Sequence, residues 1–344
     1  MINVGSIRYF RAALLVLFLG SIPEAASGDD VTPPPTMSAD ATAELRAAID
    51  ILKTHHMDRA KLDWPKTEAQ VFAMAKDAKS PADTYSAIRY IIEMLGEKHT
   101  FLQTADAFKA MTSDRQVGSA APPPFNPPEG MLLANRIAFL RVPWFLGNET
   151  NDRAYVAALR QALNRFAAGG ICRYVVDLRG NSGGNMYPML NGVKALLGRP
   201  PYGFWDTGGG ARVPWTINDA PNPLNATSAP PAPYADAVAK LDDARVAVLV
   251  DNRTVSSGEF TAMAFEGRPH TRLFGEPTGG YVTTNAPYSL PDGARLLVSE
   301  GWATDRIGRP YRTAIVPDEE TATGQATLDA ALRWLKTQPC NGTK

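Results

Sequence analysis

Apolar residues between positions 38 and 112 recur at the spacing of amphipathic helices. One series spans residues 43–52 and stops at a pair of histidines, and another spans residues 88–95 and stops at Gly96. The second series follows residues 80–83 (SPAD), where serine precedes proline and an acidic residue, as at the start of many helices. We therefore predict a small N-terminal helical domain over residues 38–112.

The pattern changes after Arg136, where short apolar runs alternate with helical patterns. Nearly continuous apolar runs are typical of strands covered on both faces, and strand–helix alternation favours a mostly parallel sheet. We predict an α/β core over residues 132–340. Its predicted strands are residues 137–142, 174–178 and 246–250, and its predicted helices are residues 151–166 and two segments ending near residues 197 and 265.

Proline-rich segments separate these parts of the chain. Residues 28–37 are a predicted spacer, and residues 113–131, which contain APPPFNPPEG, are a predicted linker. Residues 200–235 are rich in proline, glycine and asparagine and are too long for a simple connection. We predict that this segment is a lid or strap over the substrate.

Residues 1–27 have the pattern of a cleaved signal peptide. Arg8 and Arg11 precede the apolar core AALLVLFLG, and small residues end at Ser27. That core is shorter than the about 20 residues that a membrane-spanning helix needs. The sequence therefore predicts an exported bacterial protein, periplasmic or secreted, with no membrane span after signal cleavage. Cys172 and Cys340 can pair in such a compartment, but their spacing alone does not show it.

The composition argues against two classes of function, nucleic-acid binding and metal-dependent chemistry. Lys and Arg total 35 and Asp and Glu total 35, which argues against a nucleic-acid partner because no excess basic charge is present. Two cysteines and four histidines, without an H-E-x-x-H pattern, give little to hold a metal ion. We predict no metal and no cofactor, and the sequence does not predict an oligomeric state.

A glycine-rich loop, residues 177–184 (DLRGNSGG), follows a predicted strand and opens a helix. Backbone N–H groups at such a helix start bind an anion, either a phosphate or the oxyanion of an acyl-transfer intermediate. The loop lacks the G-K-[ST] of a phosphate-binding Walker loop and the G-x-G-x-x-G of a dinucleotide site. An ordinary glycine-rich turn remains an alternative.

A second loop, residues 251–259 (DNRTVSSGE), also joins a strand to a helix. Ser256 with Glu259 three residues later fits a capping box, in which the serine only caps the helix. It also fits a nucleophile elbow, in which Ser256 is exposed at the positive end of the helix dipole. The loop alone leaves both interpretations open.

Together these loops resemble the tail-specific, or C-terminal processing, serine proteases, a group that includes tricorn-type protease cores and interphotoreceptor retinoid-binding proteins. The resemblance covers roughly residues 40–320 and implies a crotonase/ClpP-like α/β core behind a helical domain. Its motifs are LDW at 62–64, LGEKHTFL at 95–102, DLRGNSGG at 177–184, TVSSGE at 254–259, GEPTGG at 275–280 and VPD at 316–318.

The resemblance implies a role for each site residue. Ser256 is the nucleophile, His99 is the general base, and Thr100 stands beside that base. The oxyanion hole is implied to be the N–H of Gly183 or Gly184 together with that of Ser257.

Three departures from patterns found among the relatives refine this expectation. Relatives with a Ser–Lys dyad have a lysine where this chain has Tyr281, which favours activation by histidine. The acidic residue of the histidine branch is also missing from residues 310–315, which leaves Asp305 or Glu300 as candidates. About 33 residues separate Leu102 from Arg136, too few for the PDZ domain of many relatives.

Three functions follow as hypotheses. The first is an exported serine peptidase that cleaves peptides or proteins through a Ser256 acyl-enzyme. The second is a non-catalytic protein that binds an apolar ligand or peptide in the same cleft, and the missing carboxylate favours it. The third, crotonase-like acyl-CoA chemistry, fits poorly with export because CoA is cytosolic.

Overall fold

The computed structural model describes residues 36–113, 126–206, 212–220, 232–322 and 324–340. The predicted signal peptide, most of the spacer, much of the linker and two parts of the predicted strap lie outside the described residues.

Helices and strands follow the order that the hydrophobic pattern predicts. The helices are α1 (Ala39–His55), α2 (Trp64–Met74), α3 (Tyr85–Leu95), α4 (Ala105–Ser113), α5 (Glu149–Ala168), α6 (Met186–Gly192), α7 (Lys194–Leu197), α8 (Ser257–Met263) and α9 (Gln325–Thr337). The strands are β1 (Phe101–Gln103), β2 (Glu129–Leu133), β3 (Ile137–Arg141), β4 (Arg173–Asp177), β5 (Gly203–Asp206), β6 (Arg212–Pro214), β7 (Arg245–Val250), β8 (Thr271–Gly275), β9 (Thr283–Ser289), β10 (Arg295–Asp305) and β11 (Glu319–Glu320).

One sheet of the described residues runs in the order β11-β8-β7-β4-β3-β2. All its neighbouring strands are parallel except β2, which pairs with β3 in the antiparallel direction. Alternate side chains of β7 point to opposite faces. Val246 and Val248 pack with α5, α6 and α8, whereas Ala247 and Leu249 pack with α9. This confirms the predicted α/β core with a mostly parallel sheet.

A second sheet is built around β10, which pairs with β9, β1 and β5 in the antiparallel direction. Leu296 and Val298 of β10 lie in one apolar core with Leu45, Ile88 and Ile91 of the N-terminal helices. The helical region therefore packs on the β9–β10 hairpin. This packing brings the turn after α3, which carries the motif 95–102, against that hairpin.

The predicted linker and strap take up more regular structure than their composition suggests. Strand β2 begins at Glu129, three residues inside the predicted linker. In the predicted strap, β5 and β6 extend the second sheet. Farther along, the Tyr234 hydroxyl donates to Asp152 of α5 at 2.6 Å, and Arg160 of α5 donates to the Asp236 carbonyl oxygen at 2.9 Å. The described end of the segment is thus attached to α5, and its role as a lid stays a prediction.

Cys172, just before β4, forms a disulfide with Cys340, beyond α9, with the two Cα atoms 5.9 Å apart. The bond connects the C-terminal helix to the start of a central strand. Across the described ranges, no helix has both the length and the hydropathy needed to cross a bilayer.

Candidate active site

Ser256 lies at the sharp turn between β7 and α8, in a left-handed backbone conformation with φ 52° and ψ −121°. A serine that only caps a helix normally has extended backbone angles. Non-glycine residues in this region are strained, and such strain is often found at active sites. The capping box with Glu259 is present, as one interpretation of the sequence expects, and the backbone angles of Ser256 also fit a nucleophile elbow.

The buried carboxylate of Glu259 holds this turn in place. It accepts hydrogen bonds from the N–H of Ser256 at 2.9 Å, of Gly280 at 2.8 Å and of Tyr281 at 2.7 Å, and one from the Thr278 hydroxyl. Burial raises the pKa of Glu259, and these four donors oppose that rise. Glu259 thus fixes the loop after β8 to the elbow, a role that the sequence did not predict.

The glycine-rich loop lies directly against Ser256. Gly183 and Gly184 have φ values of 94° and 103°, which side chains rarely allow. A Cβ on Gly183 would stand 2.9 Å from the Ser256 Cβ, and one on Gly184 would stand 2.0 Å from the Phe145 carbonyl oxygen. Glycine is therefore required at both positions for the loop to reach Ser256.

A hydrogen bond joins the glycine-rich loop to the loop that carries Ser256, and only some of the N–H groups in these loops have an acceptor. The Ser257 hydroxyl donates to the Gly184 carbonyl oxygen at 2.7 Å. The Gly183 N–H donates to Asn181 Oδ1 at 3.0 Å, so it is already used within the loop. The N–H groups of Gly184 and Ser257 have no acceptor among the described residues. Of the two glycines, Gly184 is therefore the better oxyanion donor.

His99 is buried beside β9, with 7% of its surface exposed. Its Nδ1 lies 2.9 Å from the carbonyl oxygen of Thr283 and 3.1 Å from that residue's hydroxyl. A carbonyl oxygen only accepts, so Nδ1 carries the proton and Nε2 keeps its lone pair. Burial lowers the pKa of His99, although Glu97 and the bond to Thr283 oppose this effect. The imidazole is thus neutral and able to act as a base at neutral pH.

Tyr281 connects His99 with the elbow. The rings of His99 and Tyr281 meet edge to face, with centroids 5.5 Å apart. The Tyr281 N–H donates to the same Glu259 oxygen, Oε2, that accepts from the Ser256 N–H. The position that holds lysine in the Ser–Lys relatives is therefore occupied by an aromatic residue that contacts both His99 and the Glu259 carboxylate.

Glu97 lies at the centre of a second hydrogen-bond network, behind His99. Its Oε1 accepts from the His99 N–H at 2.6 Å and from the Thr283 hydroxyl at 3.2 Å. Its Oε2 accepts from the Thr100 N–H at 2.7 Å and from the Ser299 hydroxyl at 2.6 Å. The Thr100 hydroxyl accepts from the Ser299 N–H at 3.0 Å. Thr100 therefore supports this network, and its hydrogen bonds go to Glu97 and Ser299 rather than to the imidazole.

Neither carboxylate proposed from the sequence as an orienting residue contacts His99. Asp305 accepts from the N–H groups of Ile307 and Arg309 and pairs with the Arg309 guanidinium at 3.3 Å. Glu300 accepts from Tyr288 and lies 3.6 Å from His55. Both are held by other partners, and neither has a contact with the imidazole among the described residues. The carboxylate that lies beside His99 is Glu97, two residues earlier in the same motif.

The described residues contain no group of three or more His, Cys, Asp or Glu side chains arranged to hold a metal ion. The site consists instead of a strained serine, a buried neutral histidine and two N–H groups, of Gly184 and Ser257, that have no acceptor among the described residues. This set of groups suits acyl transfer through a serine.

Comparison with known proteins agrees with this chemistry. The model of Peptidase family S41 matches residues 136–321, more than half of the chain. The nisin-resistance protein of Lactococcus lactis subsp. lactis is 28% identical over 280 residues, which are 80% of this chain and 81% of that protein.

Two solved structures share the fold. A lipoprotein from Streptococcus agalactiae has a TM-score of 0.71 at 23% identity and covers 90% of this chain and 98% of its own. A photosystem II D1 C-terminal processing protease has a TM-score of 0.58 at 14% identity, over 88% and 98% of the two chains. The resemblance found in the sequence motifs is therefore confirmed: this chain belongs to peptidase family S41.

Proposed function

We propose that this protein is an exported serine peptidase in which Ser256 forms an acyl-enzyme and His99, rather than a lysine, activates it. The observation that carries the proposal is the tautomer of His99. His99 Nδ1 donates to the Thr283 carbonyl oxygen, with 2.9 Å between the nitrogen and the oxygen, and this leaves Nε2 as the base of a neutral imidazole. A positioned base of this kind contributes about 10²- to 10⁴-fold to the rate.

The reaction follows from these groups. Ser256 Oγ attacks the carbonyl carbon of the scissile bond while its proton passes to His99 Nε2. The negative charge that develops on the carbonyl oxygen is stabilised by the N–H groups of Gly184 and Ser257. His99 then gives the proton to the leaving amine, and water, deprotonated by His99, hydrolyses the acyl-enzyme.

Export is part of the proposal and has two supports. The N-terminal 27 residues have the charge and apolar pattern of a signal peptide. Cys172 and Cys340 are joined, and disulfides persist in oxidising compartments outside the cytosol. We expect the mature protein in a periplasmic or secreted fraction, beginning near residue 28. Mass spectrometry of that fraction, with and without reduction, checks the cleavage and the disulfide together.

The substrate class is a peptide or protein chain. The name of the Lactococcus lactis relative connects it with resistance to nisin, so nisin is one candidate substrate. The test incubates the mature protein with nisin and with a mixture of unrelated peptides, followed by mass spectrometry of the products. New termini that appear with the wild type and with Ser289→Ala, but not with Ser256→Ala, support the proposal; Ser289 is an exposed serine at the end of β9. Intact peptides in every reaction would favour the alternative, a non-catalytic protein that binds peptides in the cleft.

A further inference from the structure

His99 is connected to a carboxylate through two hydroxyl groups instead of directly. Its Nδ1 lies 3.1 Å from the Thr283 hydroxyl, which in turn lies 3.0 Å from the Ser299 hydroxyl. The carboxylate of Glu97 reaches both hydroxyls, at 3.2 Å and 2.6 Å respectively. The residues come from the turn after α3 and from both strands of the β9–β10 hairpin.

Each hydroxyl in this network has a single proton, and Glu97 determines where these protons point. A carboxylate only accepts hydrogen bonds, so the single proton of Ser299 Oγ points at Glu97 Oε2. The single proton of Thr283 Oγ1 then points at Glu97 Oε1 or at Ser299 Oγ. In either arrangement that proton points away from His99. Both atoms that Nδ1 faces, the Thr283 hydroxyl oxygen and the carbonyl oxygen, therefore act as acceptors.

The carboxylate also acts through its charge. The negative charge of Glu97 favours the imidazolium form of His99, which is the form that follows proton transfer from Ser256. Burial opposes that form because a charged imidazole loses its hydration. Glu97 thus offsets part of the cost of charging a buried base during the reaction, as the aspartate of a Ser-His-Asp triad does.

His56 is a second titratable group that faces Glu97. It is fully buried, and its Nδ1 accepts from the Asp58 N–H at 3.0 Å. Its proton therefore resides on Nε2, which has no partner among the described residues. The pKa of His56 is lowered, mainly by burial. The positive charges of Lys61 and Arg59 lower it further, whereas the negative charges of Glu97 and Asp58 act to raise it. His56 is thus neutral at neutral pH.

We propose that Glu97 is a positioning residue for the serine peptidase reaction: through the hydroxyls of Thr283 and Ser299 it fixes the base-competent tautomer of His99. This inference rests on the proposed function and deepens it. The resemblance to the histidine branch led us to expect an acidic residue late in the chain. We infer instead that Glu97, in the same turn as His99, takes this role.

The test measures how fast a fluorophosphonate probe acylates Ser256 between pH 4 and pH 9 in wild type, Glu97→Gln, Glu97→Asp and Glu300→Gln. Glu300→Gln is the matched control, because Glu300 neighbours Ser299 on β10 but has no contact with His99. We expect Glu97→Gln to be slower by about 10- to 100-fold. This is less than the about 10⁴-fold loss when a triad aspartate becomes an amide, because the Thr283 carbonyl oxygen still holds Nδ1.

The pH profile separates positioning from a structural role. Without the negative charge of Glu97 the pKa of His99 falls further, so the acid limb of the Glu97→Gln profile moves to lower pH. Glu97→Asp, which keeps the charge, should recover most of the rate, and Glu300→Gln should match wild type. ¹⁵N NMR of His99 in the unreacted protein should show Nδ1–H alone in wild type. In Glu97→Gln the Thr283 carbonyl oxygen still favours Nδ1–H, but a minor Nε2–H form should appear in the mixture because the Thr283 hydroxyl is no longer directed at a carboxylate.

The outcomes are distinguishable. If wild type does not react at Ser256, the proposed function fails, whatever the variants do. If wild type reacts and Glu97→Gln matches its rate and its acid limb, the inference about Glu97 is overturned while the peptidase proposal stands. A slow Glu97→Gln with an unchanged acid limb and an unchanged His99 tautomer also overturns it, because a merely distorted site behaves in that way. Should Glu97→Gln not fold, Thr283→Val, which keeps the carbonyl oxygen and removes the hydroxyl, should show the same mixture of tautomers; a pure Nδ1–H form there would contradict the role.

Discussion

Gly183 lies so close to Ser256 that a Cβ on the glycine would stand 2.9 Å from the Cβ of the serine. It would also stand 3.0 Å from the Val255 carbonyl oxygen. The glycine loop and the turn at Ser256 are therefore so closely packed that a side chain at position 183 would push them apart.

Gly183→Ala should consequently slow acylation by a fluorophosphonate by about 10²- to 10³-fold or more while leaving the protein folded. The added methyl group displaces the neighbouring Gly184 N–H, the proposed oxyanion donor, and it also moves Ser256. The comparison variant is Gly293→Ala, since Gly293 has a φ of 90° and open space around it. Both substitutions carry the strain of a left-handed alanine, about 1–2 kcal/mol, so stability alone does not separate them. Equal reaction rates in the two variants would contradict the close approach.

Glu259→Gln should destabilise the protein and slow acylation together. The carboxylate accepts bonds from Ser256, Gly280 and Tyr281 N–H groups, and a glutamine turns part of that acceptor set into donors. Each buried group left without a partner costs about 1–3 kcal/mol. Thermal unfolding and the fluorophosphonate rate measure both effects. Glu276→Gln, a change in the nearby loop, serves as the comparison and should alter neither; a stable, fully reactive Glu259→Gln protein would show that the carboxylate is dispensable.

The acid limb of the reaction should lie below the ordinary pKa of histidine, 6.5, because burial lowers the pKa of His99. The neutral imidazole is the active form, so the acylation rate should stay high as pH falls through 6.5 and be lost only when His99 becomes protonated. The rate of wild type between pH 4 and pH 9 gives the midpoint. A midpoint well above 6.5 would mean that His99 is not the base or that it is exposed to water.

Tyr234→Phe should destabilise the protein more at pH 8 than at pH 5. Burial raises the pKa of Asp152 from 3.8 to about 6, and the Tyr234 hydroxyl is the hydrogen-bond donor that opposes this rise. Between these two values the folded state binds more protons than the unfolded state, so the Asp152 contribution to stability improves as pH falls from about 6 towards 3.8. The variant leaves a charged Asp152 without its donor above pH 6, at a cost of about 1–3 kcal/mol.

Urea unfolding at the two pH values measures this difference. Tyr187→Phe is the comparison, because the Tyr187 hydroxyl has no hydrogen bond to a described residue. We expect it to have a small effect that is the same at both pH values. An equal loss for Tyr234→Phe at pH 5 and pH 8 would show that Asp152 is not the group that titrates.

The strands and helices of the core were predictable because their pattern is local. Residues 246–250 are apolar throughout, and β7 is buried on both faces. The same holds for Gly96, which ends α3 with a φ of 70° as its residue type suggests. Such features depend on neighbours within one turn or one strand, and the sequence contains all of that information.

The network behind His99 was not predictable in this way. Thr283 follows His99 by 184 positions, and Ser299 follows Glu97 by 202. Only the packing of the N-terminal helices on the β9–β10 hairpin brings these residues together. The sequence motifs singled out Ser256 and His99 as candidates and led us to expect a carboxylate late in the chain, whereas the carboxylate that lies beside His99 in the structure is Glu97. The pairing of Cys172 with Cys340, across a separation of 168, depends on tertiary structure in the same way.

The most direct test of the account is intact-mass analysis of the mature protein after reaction with a fluorophosphonate. We predict one adduct on wild type and on Ser289→Ala, no adduct on Ser256→Ala, and a reaction slowed by about 10²-fold or more in His99→Ala, in keeping with loss of a general base. Folded wild-type protein that gains no adduct, or a His99→Ala variant that reacts as fast as wild type, would contradict the claim that His99 activates Ser256.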